Sequence, residues 1–289
     1  MNDRVLVTGA NGFIGSHLVR ALRGAGQSVC EHSLRDGDIT ACPLEFEGVA
    51  HVFHLAGKTF VPESWKTPKA FYDVNVMGTV NVLEFCRRQG ASLTLVSSYV
   101  YGQPRWLPIG EDHPLSPSNP YSHSKILAEE VAQYYSEQFG LEITIVRPFN
   151  IFGPGQADHF LIPKILKQAL DPGQNRITVA DLRPRRDYLY VGDFVSLLTA
   201  TMVRPCGSVY NAGSGTSVSV TELIEIINRV VEAAKPVCSE ECQRPDEILD
   251  VVADVSRAST ELNWRPQTDL TKGLRQMVAS KKLQIEQTS

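Results

Sequence analysis

Close to its N-terminus the chain passes from an apolar run at residues 5–8 into Gly9-Ala10-Asn11-Gly12-Phe13-Ile14-Gly15, and then into a stretch whose Ile14, Leu18 and Leu22 share one helical face. A strand, a glycine turn and a helix in that order limit the possible folds more than any other feature of the sequence. Without a Cβ, Gly9 can make a tight turn, Gly12 lets backbone approach a pyrophosphate, and Gly15 lets helix pack on strand. The unpaired N–H groups at the helix start suit phosphates, which makes Asn11, Phe13 and Ile14 candidate cofactor contacts beside the three glycines. A purely structural strand-to-helix turn would need the same glycines.

The same alternation continues. Gly24 and Gly26 stop the first helix, strands are expected at 28–32, 52–55, 93–96 and 143–146, and helices at 70–88 and 121–139. Repeated βαβ units predict an α/β fold, a Rossmann-type doubly wound parallel sheet. After Pro148 the texture changes, with Pro154, Gly155, Pro163, Pro172 and Gly173 separating short elements. The expected division is a dinucleotide-binding domain over 1–150 and, over 151–289, mainly a smaller C-terminal α/β substrate-binding cap with some segments returning to the first sheet. Within the cap, helices are expected at 218–234 and 270–278, a short strand at 249–252, and a frayed polar tail over 281–289.

Composition narrows the partners. Hydrophobic residues make up 43% of the 289, enough for a core, while 28 Lys and Arg against 32 Asp and Glu leave a net charge of -4. That balance argues against general nucleic-acid or anionic-membrane binding, so an anionic ligand must meet local positive charge. No apolar run reaches the ~18 residues of a membrane span and no signal-peptide pattern opens the chain, so the cytoplasm is the expected compartment. Six scattered cysteines read as thiols. His51 and His54 lie three apart on an expected strand and so face opposite sides, and no metal site is expected.

The end of the second strand separates NAD from NADP, because a carboxylate there accepts from the ribose 2′-hydroxyl and repels a 2′-phosphate. Ser33 and Arg35 occupy that place, and a hydroxyl with a guanidinium suits a phosphate, so NADP(H) is the expected cofactor. Glu31, two residues earlier, keeps NAD(H) as the alternative. Asp38 and Ile39 either border the adenine or form a surface turn. Further on, Ser97 follows a buried strand at the end where doubly wound folds keep their ligands. Tyr121 and Lys125 stand at i, i+4 on one helical face, and an ammonium beside a phenol lowers its pKa from ~10 and makes it a usable acid/base.

Together these residues resemble the extended short-chain dehydrogenase/reductase family of nucleotide-sugar epimerases, dehydratases and ketoreductases, over nearly the whole chain. The resemblance implies an NAD(P)-dependent enzyme in which Tyr121 exchanges a proton with the sugar, Lys125 holds the nicotinamide ribose and tunes Tyr121, and Ser97 bonds the reacting oxygen. It also implies that Leu55, Ala56, Gly57 and Pro148 lie along the cofactor, that Asn75 supports the active site, and that Asn150, Arg186 and Arg244 contact a nucleotide diphosphate. Lys58, Ser98 and Tyr99 join the substrate set. Residues 36–48 are too short for the usual helix of the third βαβ unit. Where 4,6-dehydratases carry an Asp-Glu pair, this chain has Ser98 and Tyr99, which disfavours that reaction. The segments 54–63, 147–156 and 186–188 are similar to the GDP-4-keto-6-deoxymannose reductase group, which implies NADPH-dependent reduction of a GDP-linked ketosugar. A 4-epimerase using NAD is the alternative, and a non-catalytic redox sensor the alternative of a different class. Relatives pair the helices at 70–88 and 121–139 into a homodimer, which is expected here.

Overall fold

The computed structural model describes residues 3–41, 43–203, 207–240 and 247–288. The elements run β1 (Arg4–Thr8), α1 (Phe13–Gly24), β2 (Ser28–His32), β3 (Val49–His54), α2 (Val61–Lys66), α3 (Pro68–Tyr72), α4 (Gly78–Gln89), β4 (Ser92–Val96), α5 (Pro120–Phe139) and β5 (Ile143–Pro148). They continue with β6 (Asn150–Phe152), α6 (Leu161–Leu170), β7 (Ile177–Val179), β8 (Arg185–Tyr190), α7 (Val191–Val203), β9 (Val209–Ala212), β10 (Ser217–Ser219), α8 (Val220–Val231), β11 (Val237–Ser239), α9 (Ser256–Glu261) and α10 (Leu270–Thr288).

Six parallel strands form the central sheet in the order β2-β1-β3-β4-β5-β9. Successive side chains of a strand point to opposite faces, and β1 shows the consequence. Val5 and Val7 pack with Leu18 and Leu22 of α1 and Phe194 and Leu198 of α7. Leu6 joins Val82 and Phe85 of α4 and Ala132 of α5 on the other face. Residues 33–48 hold no helix, and the chain returns from β2 directly to β3 on the far side of β1. The short third unit therefore leaves β2 at the sheet edge.

The other half builds its own core, where Ile165 and Leu166 of α6, Leu223 and Ile227 of α8, and Leu274 and Met277 of α10 surround β8. The three-stranded sheet β10-β8-β6 and the pair β11-β7 lie there. The chain nevertheless crosses back, since α7 covers the same face as α1 and β9 closes the central sheet beside β5.

Several expectations are corrected. The helix expected at 70–88 is divided, with residues Asp73–Met77 in a π-helical turn between α3 and α4; such a turn inserts a residue into the ladder and re-aims its side chains. Residues 249–252 form no strand and are held by scattered bonds, Arg185 N–H to the Leu249 carbonyl at 2.7 Å and Ile109 N–H to that of Val252 at 2.8 Å. The expected frayed tail is the last part of α10, which runs to Thr288.

Candidate active site

The turn after β1 fits a dinucleotide closely. Gly9 has φ +68°, and a Cβ there would lie 2.8 Å from the Ala56 N. A Cβ at Gly15 would drive into the Gly9 carbonyl, whereas one at Gly12 would meet only that carbonyl, at 3.1 Å. Gly9 and Gly15 are therefore required by packing, and Gly12 leaves open the approach to the first turn of α1. A cavity of about 590 Å³ begins there, lined by Gly9, Asn11, Gly12, Ser33, Arg35, Asp38, Ile39, Leu55, Ala56, Gly57, Lys58 and Val74. Its lining and the unpaired N–H groups at the start of α1 suit the phosphates of a dinucleotide. Lys58, expected against the substrate, instead stands on the rim of this cavity, with its ammonium 3.0 Å from Glu63.

At the β2 end, Glu31 turns away and pairs with Arg23 at 2.6 Å, lining a separate depression with Ser16 and Arg20. Ser33 is buried, and its hydroxyl donates to Asp36 at 2.8 Å and accepts from the Asn11 amide at 2.9 Å. The Asp38 carboxylate accepts from the N–H and hydroxyl of Thr40. Ile39 is buried, with its carbonyl capped by Asn81.

The strand ends β3 and β4 carry a buried polar web. Asn75, in the π-helical turn, accepts from Lys58 N–H at 2.9 Å and donates to the Ser124 hydroxyl at 2.9 Å, tying α5 to the segment after β3. His54 sits between the hydroxyls of Thr8 and Thr79. Burial lowers its pKa to about 3, so it is neutral and acts as a spacer.

Tyr121 and Lys125 lie in the first turns of α5, which starts with a capping box from Asn119 to Ser122 and with Pro120 at the first helical position. Tyr121 is half-buried, its ring edge-on to Phe71 at 6.3 Å. The buried Lys125 ammonium donates to the Val96 carbonyl at 2.7 Å. Burial lowers the pKa of Lys125 to about 8, with Glu129 opposing. The expectation that Lys125 lowers the pKa of Tyr121 does not hold here. Burial raises the Tyr121 pKa, and the group that opposes it is the Ser98 hydroxyl. The i, i+4 spacing put both side chains on one face, but the lysine spans to the end of β4.

The two serines also divide differently from expectation. The buried Ser97 hydroxyl donates to Glu129. Ser98 is buried too, and its hydroxyl forms no hydrogen bond of regular geometry among the described residues although it lies beside the phenol. Tyr99 gives its hydroxyl to the Gly102 carbonyl at 2.7 Å and packs edge-on against Phe149, and burial raises its pKa.

Glu129 and Arg147 were not singled out as site residues by the sequence. The Glu129 carboxylate accepts from Arg147 Nη2 at 2.7 Å, and their side chains are only 2% and 5% exposed. Arg147 Nη1 reaches the Tyr101 hydroxyl and the Glu111 carbonyl, both at 3.1 Å, and Tyr101 continues to Asn211 on β9. The available signal was spacing, since Glu129 stands four residues after Lys125 as Lys125 does after Tyr121.

A second cavity, of about 370 Å³, opens in the second half of the chain and is lined by Phe149, Asn150, Gln156, Phe160, Arg186, Tyr188 and Glu247 among others. The Asn150 amide donates to the Asp187 carbonyl at 3.1 Å. The Arg186 guanidinium pairs with Glu247 and donates to the Ile248 carbonyl at 2.6 Å. Pro148 ends β5 opposite Ala212. Arg244 lies outside the described residues, as do Cys42, Cys206 and Cys242; Cys30, Cys86 and Cys238 are free thiols. Among the described residues no cluster of three potential metal ligands occurs, and no helix is long and apolar enough to cross a membrane.

Comparison with known proteins agrees with this architecture. A GDP-6-deoxy-D-mannose reductase of Pseudomonas aeruginosa is 31% identical over 96% of this chain and 97% of its own. A UDP-glucose 4-epimerase of Mycolicibacterium smegmatis is 31% identical over 95% of this chain and 97% of its own. The solved structure of RMD from Pseudomonas aeruginosa complexed with NADPH superposes with a TM-score of 0.89 at 30% identity, covering 98% of this chain and 99% of that one. The model of the NAD dependent epimerase/dehydratase family matches residues 5–213, from β1 to the strand that closes the sheet, and the chain belongs to that family of enzymes.

Proposed function

We propose that the protein reduces a nucleotide-linked 4-keto-6-deoxy sugar with NADP(H), a GDP-sugar being the expected substrate. One observation carries this reading over the NAD-retaining alternative. Glu31, the acid able to bond a ribose 2′-hydroxyl, is turned to Arg23, while Ser33 and Arg35 line the cavity. The relative named as a reductase, and the NADPH complex of similar fold, support it.

In this reading residues 1–150 mainly hold the cofactor and residues 151–289 mainly the substrate. Residues 55–58, which line the first cavity, would hold the nicotinamide end of the cofactor, and that group would supply the hydride. Tyr121, whose raised pKa keeps it protonated at neutral pH, gives its phenolic proton to the carbonyl oxygen as that oxygen gains charge. Ser97, bonded to Glu129, and the Ser98 hydroxyl beside Tyr121 are the two hydroxyls offered to that oxygen. Lys125 supplies a positive charge at the β4 end and orders the ribose. Arg186, with Arg244 in the sequence segment beyond, clamps the diphosphate. Asn150, Tyr99 and the aromatic wall of the second cavity orient sugar and base.

A 4-epimerase is the second reading, favoured by Tyr99, a further phenol beside Phe149, and by the epimerase among the relatives. The purified protein separates the two. Stoichiometric oxidation of added NADPH with a GDP-4-keto-6-deoxy sugar supports reduction. Interconversion of a 4-hydroxy nucleotide sugar without change in nicotinamide absorbance, with NAD released on denaturation, overturns it. The homodimer is part of the proposal, supported by the exposed Tyr134 and Phe139 on α5, and is checked by size measurement in solution.

A further inference from the structure

One wall of the second cavity is a piece of chain with little structure of its own. Residues 153–160 connect β6 to α6, and Gln156 and Phe160 among them line the cavity. Gly153 is pressed against Val191 at the start of α7, with no room for a Cβ, but Gly155 and residues 157–160 are exposed. Within the segment the backbone closes turns from Gln156 N–H to the Gly153 carbonyl, at 3.3 Å, and from Phe160 N–H to the Ala157 carbonyl, at 3.1 Å. The Gln156 amide adds a bond to the Ile151 carbonyl at 2.9 Å, and Lys281 reaches Asp158 at 3.1 Å.

The first half of the chain anchors this segment. The His17 imidazole, on the second turn of α1, meets the Pro154 carbonyl through Nε2 at 2.8 Å. A carbonyl only accepts, so Nε2 carries the proton and donates it. Phe13, one turn earlier, stands edge-on to the His17 ring with centroids 5.8 Å apart and keeps it aimed at the segment. At the other end His159, next to Phe160, packs across Phe60 at 4.8 Å. The anchors thus stem from α1, which begins at the glycine turn, and from the stretch that follows residues 55–58, so they reach out from the walls of the first cavity to a wall of the second.

We propose that His17 is a positioning residue for the second cavity: from α1 it fixes Pro154, and through it the Gln156 and Phe160 wall against which the nucleotide of the substrate rests. The inference rests on the reading of that cavity as the nucleotide site. His17 lines neither cavity, so its loss is felt in the strength of nucleotide binding and not in the proton transfer at Tyr121. A single neutral hydrogen bond contributes about two- to tenfold to an equilibrium constant. Phe60 still holds the far end of the segment, so the wall loosens without coming away.

The test uses the full chain and the variants His17→Phe and His17→Gln. Phenylalanine keeps a ring beside Phe13 and removes the donor, whereas glutamine restores an N–H. Binding of GDP and of UDP is measured by titration calorimetry, and that of NADPH by quenching of protein fluorescence. His17→Phe should weaken the bound nucleoside diphosphate about two- to tenfold and raise the KM of the nucleotide sugar by a similar factor, with kcat and NADPH affinity near wild type. His17→Gln should recover most of the loss. If His17→Phe lowers the urea midpoint but leaves nucleoside diphosphate affinity unchanged, His17 merely ties the two halves together and the proposal is overturned. Equal weakening of NADPH and of the nucleoside diphosphate also overturns it, since α1 itself is then disturbed. If the wild type binds neither GDP nor UDP, the nucleotide reading of the cavity fails and takes the inference with it, a result distinct from wild-type binding that His17→Phe leaves unchanged.

Discussion

Replacing Glu129 by glutamine tests whether the buried pair beneath the candidate site governs both stability and protonation. Glu129 and Arg147 are nearly solvent-free, and the carboxylate receives the guanidinium through both Nε and Nη2 as well as the Ser97 hydroxyl. Glutamine has nearly the same shape but no charge, and its amide N–H groups would face donors. Arg147 would be left with the Tyr101 hydroxyl and the Glu111 carbonyl, both neutral. Removing one partner of a buried ion pair costs about 3–5 kcal/mol, a large share of the ~5–15 kcal/mol that holds a typical domain folded. Urea unfolding should therefore show a much lower midpoint with an unchanged slope. The double variant Glu129→Gln/Arg147→Met should recover most of the loss, because no unpaired charge remains. Glu129 also supports the charge on Lys125, so the alkaline limb of the activity profile, expected near the Lys125 pKa of about 8, should shift to lower pH in Glu129→Gln. A loss below about 1 kcal/mol, the scale of a surface ion pair, would refute the reasoning.

Other consequences are open to measurement. Tyr121→Phe should lower kcat by about 10²–10⁴-fold while dinucleotide binding by fluorescence stays near wild type, and wild-type turnover would remove Tyr121 as the proton donor. His51 and His54 both have pKa values lowered by burial from 6.5 to about 3. Between those pH values the unfolded chain takes up protons that the folded one refuses, so stability is complete above pH 6.5 and falls steadily as pH drops toward 3. Thermal unfolding at pH 7, 5.5 and 4.5 should show that decline, and a constant Tm would contradict it. Gly15→Ala should destabilise the protein by more than the ~1 kcal/mol scale of a helix glycine, read by the same urea titration, since its Cβ would meet the backbone of Gly9 and Ala10. Retention of wild-type stability would mean that the turn can shift.

Much of the site was legible because it depends on local chain geometry. The glycine turn, the Tyr121-Lys125 spacing and the shortness of residues 36–48 each had one structural outcome. What escaped depends on contacts between distant segments. Past the end of β4 no pleat dictates direction, and it is the Ser97 N–H bond to the Val146 carbonyl and the reach of Lys125 to Val96 that turn Ser97 toward Glu129. Residues 249–252 are apolar enough for a strand, but their backbone partners are scattered over Arg185 and Ile109, so no ladder forms. The π-helical turn around Asn75 breaks an otherwise continuous helical pattern, since the amide of Asn75 is held by Lys58 and Ser124 and no sequence period records that.

The closing strand β9 has a bearing on how the molecule comes into being. It pairs with β5, bonds Tyr101 through Asn211 and thereby completes the surroundings of Arg147, yet it is synthesised only after β6 to β8 and α7. During translation the nascent sheet therefore keeps an open edge at β5, and a buried arginine lacks part of its shell, until much of the second half has left the ribosome. Long-range closure of this kind slows folding and leaves a strand edge exposed to other chains. A fragment ending after α7 would carry the glycine turn, Tyr121 and Lys125, yet it would keep that unpaired edge and be prone to aggregate.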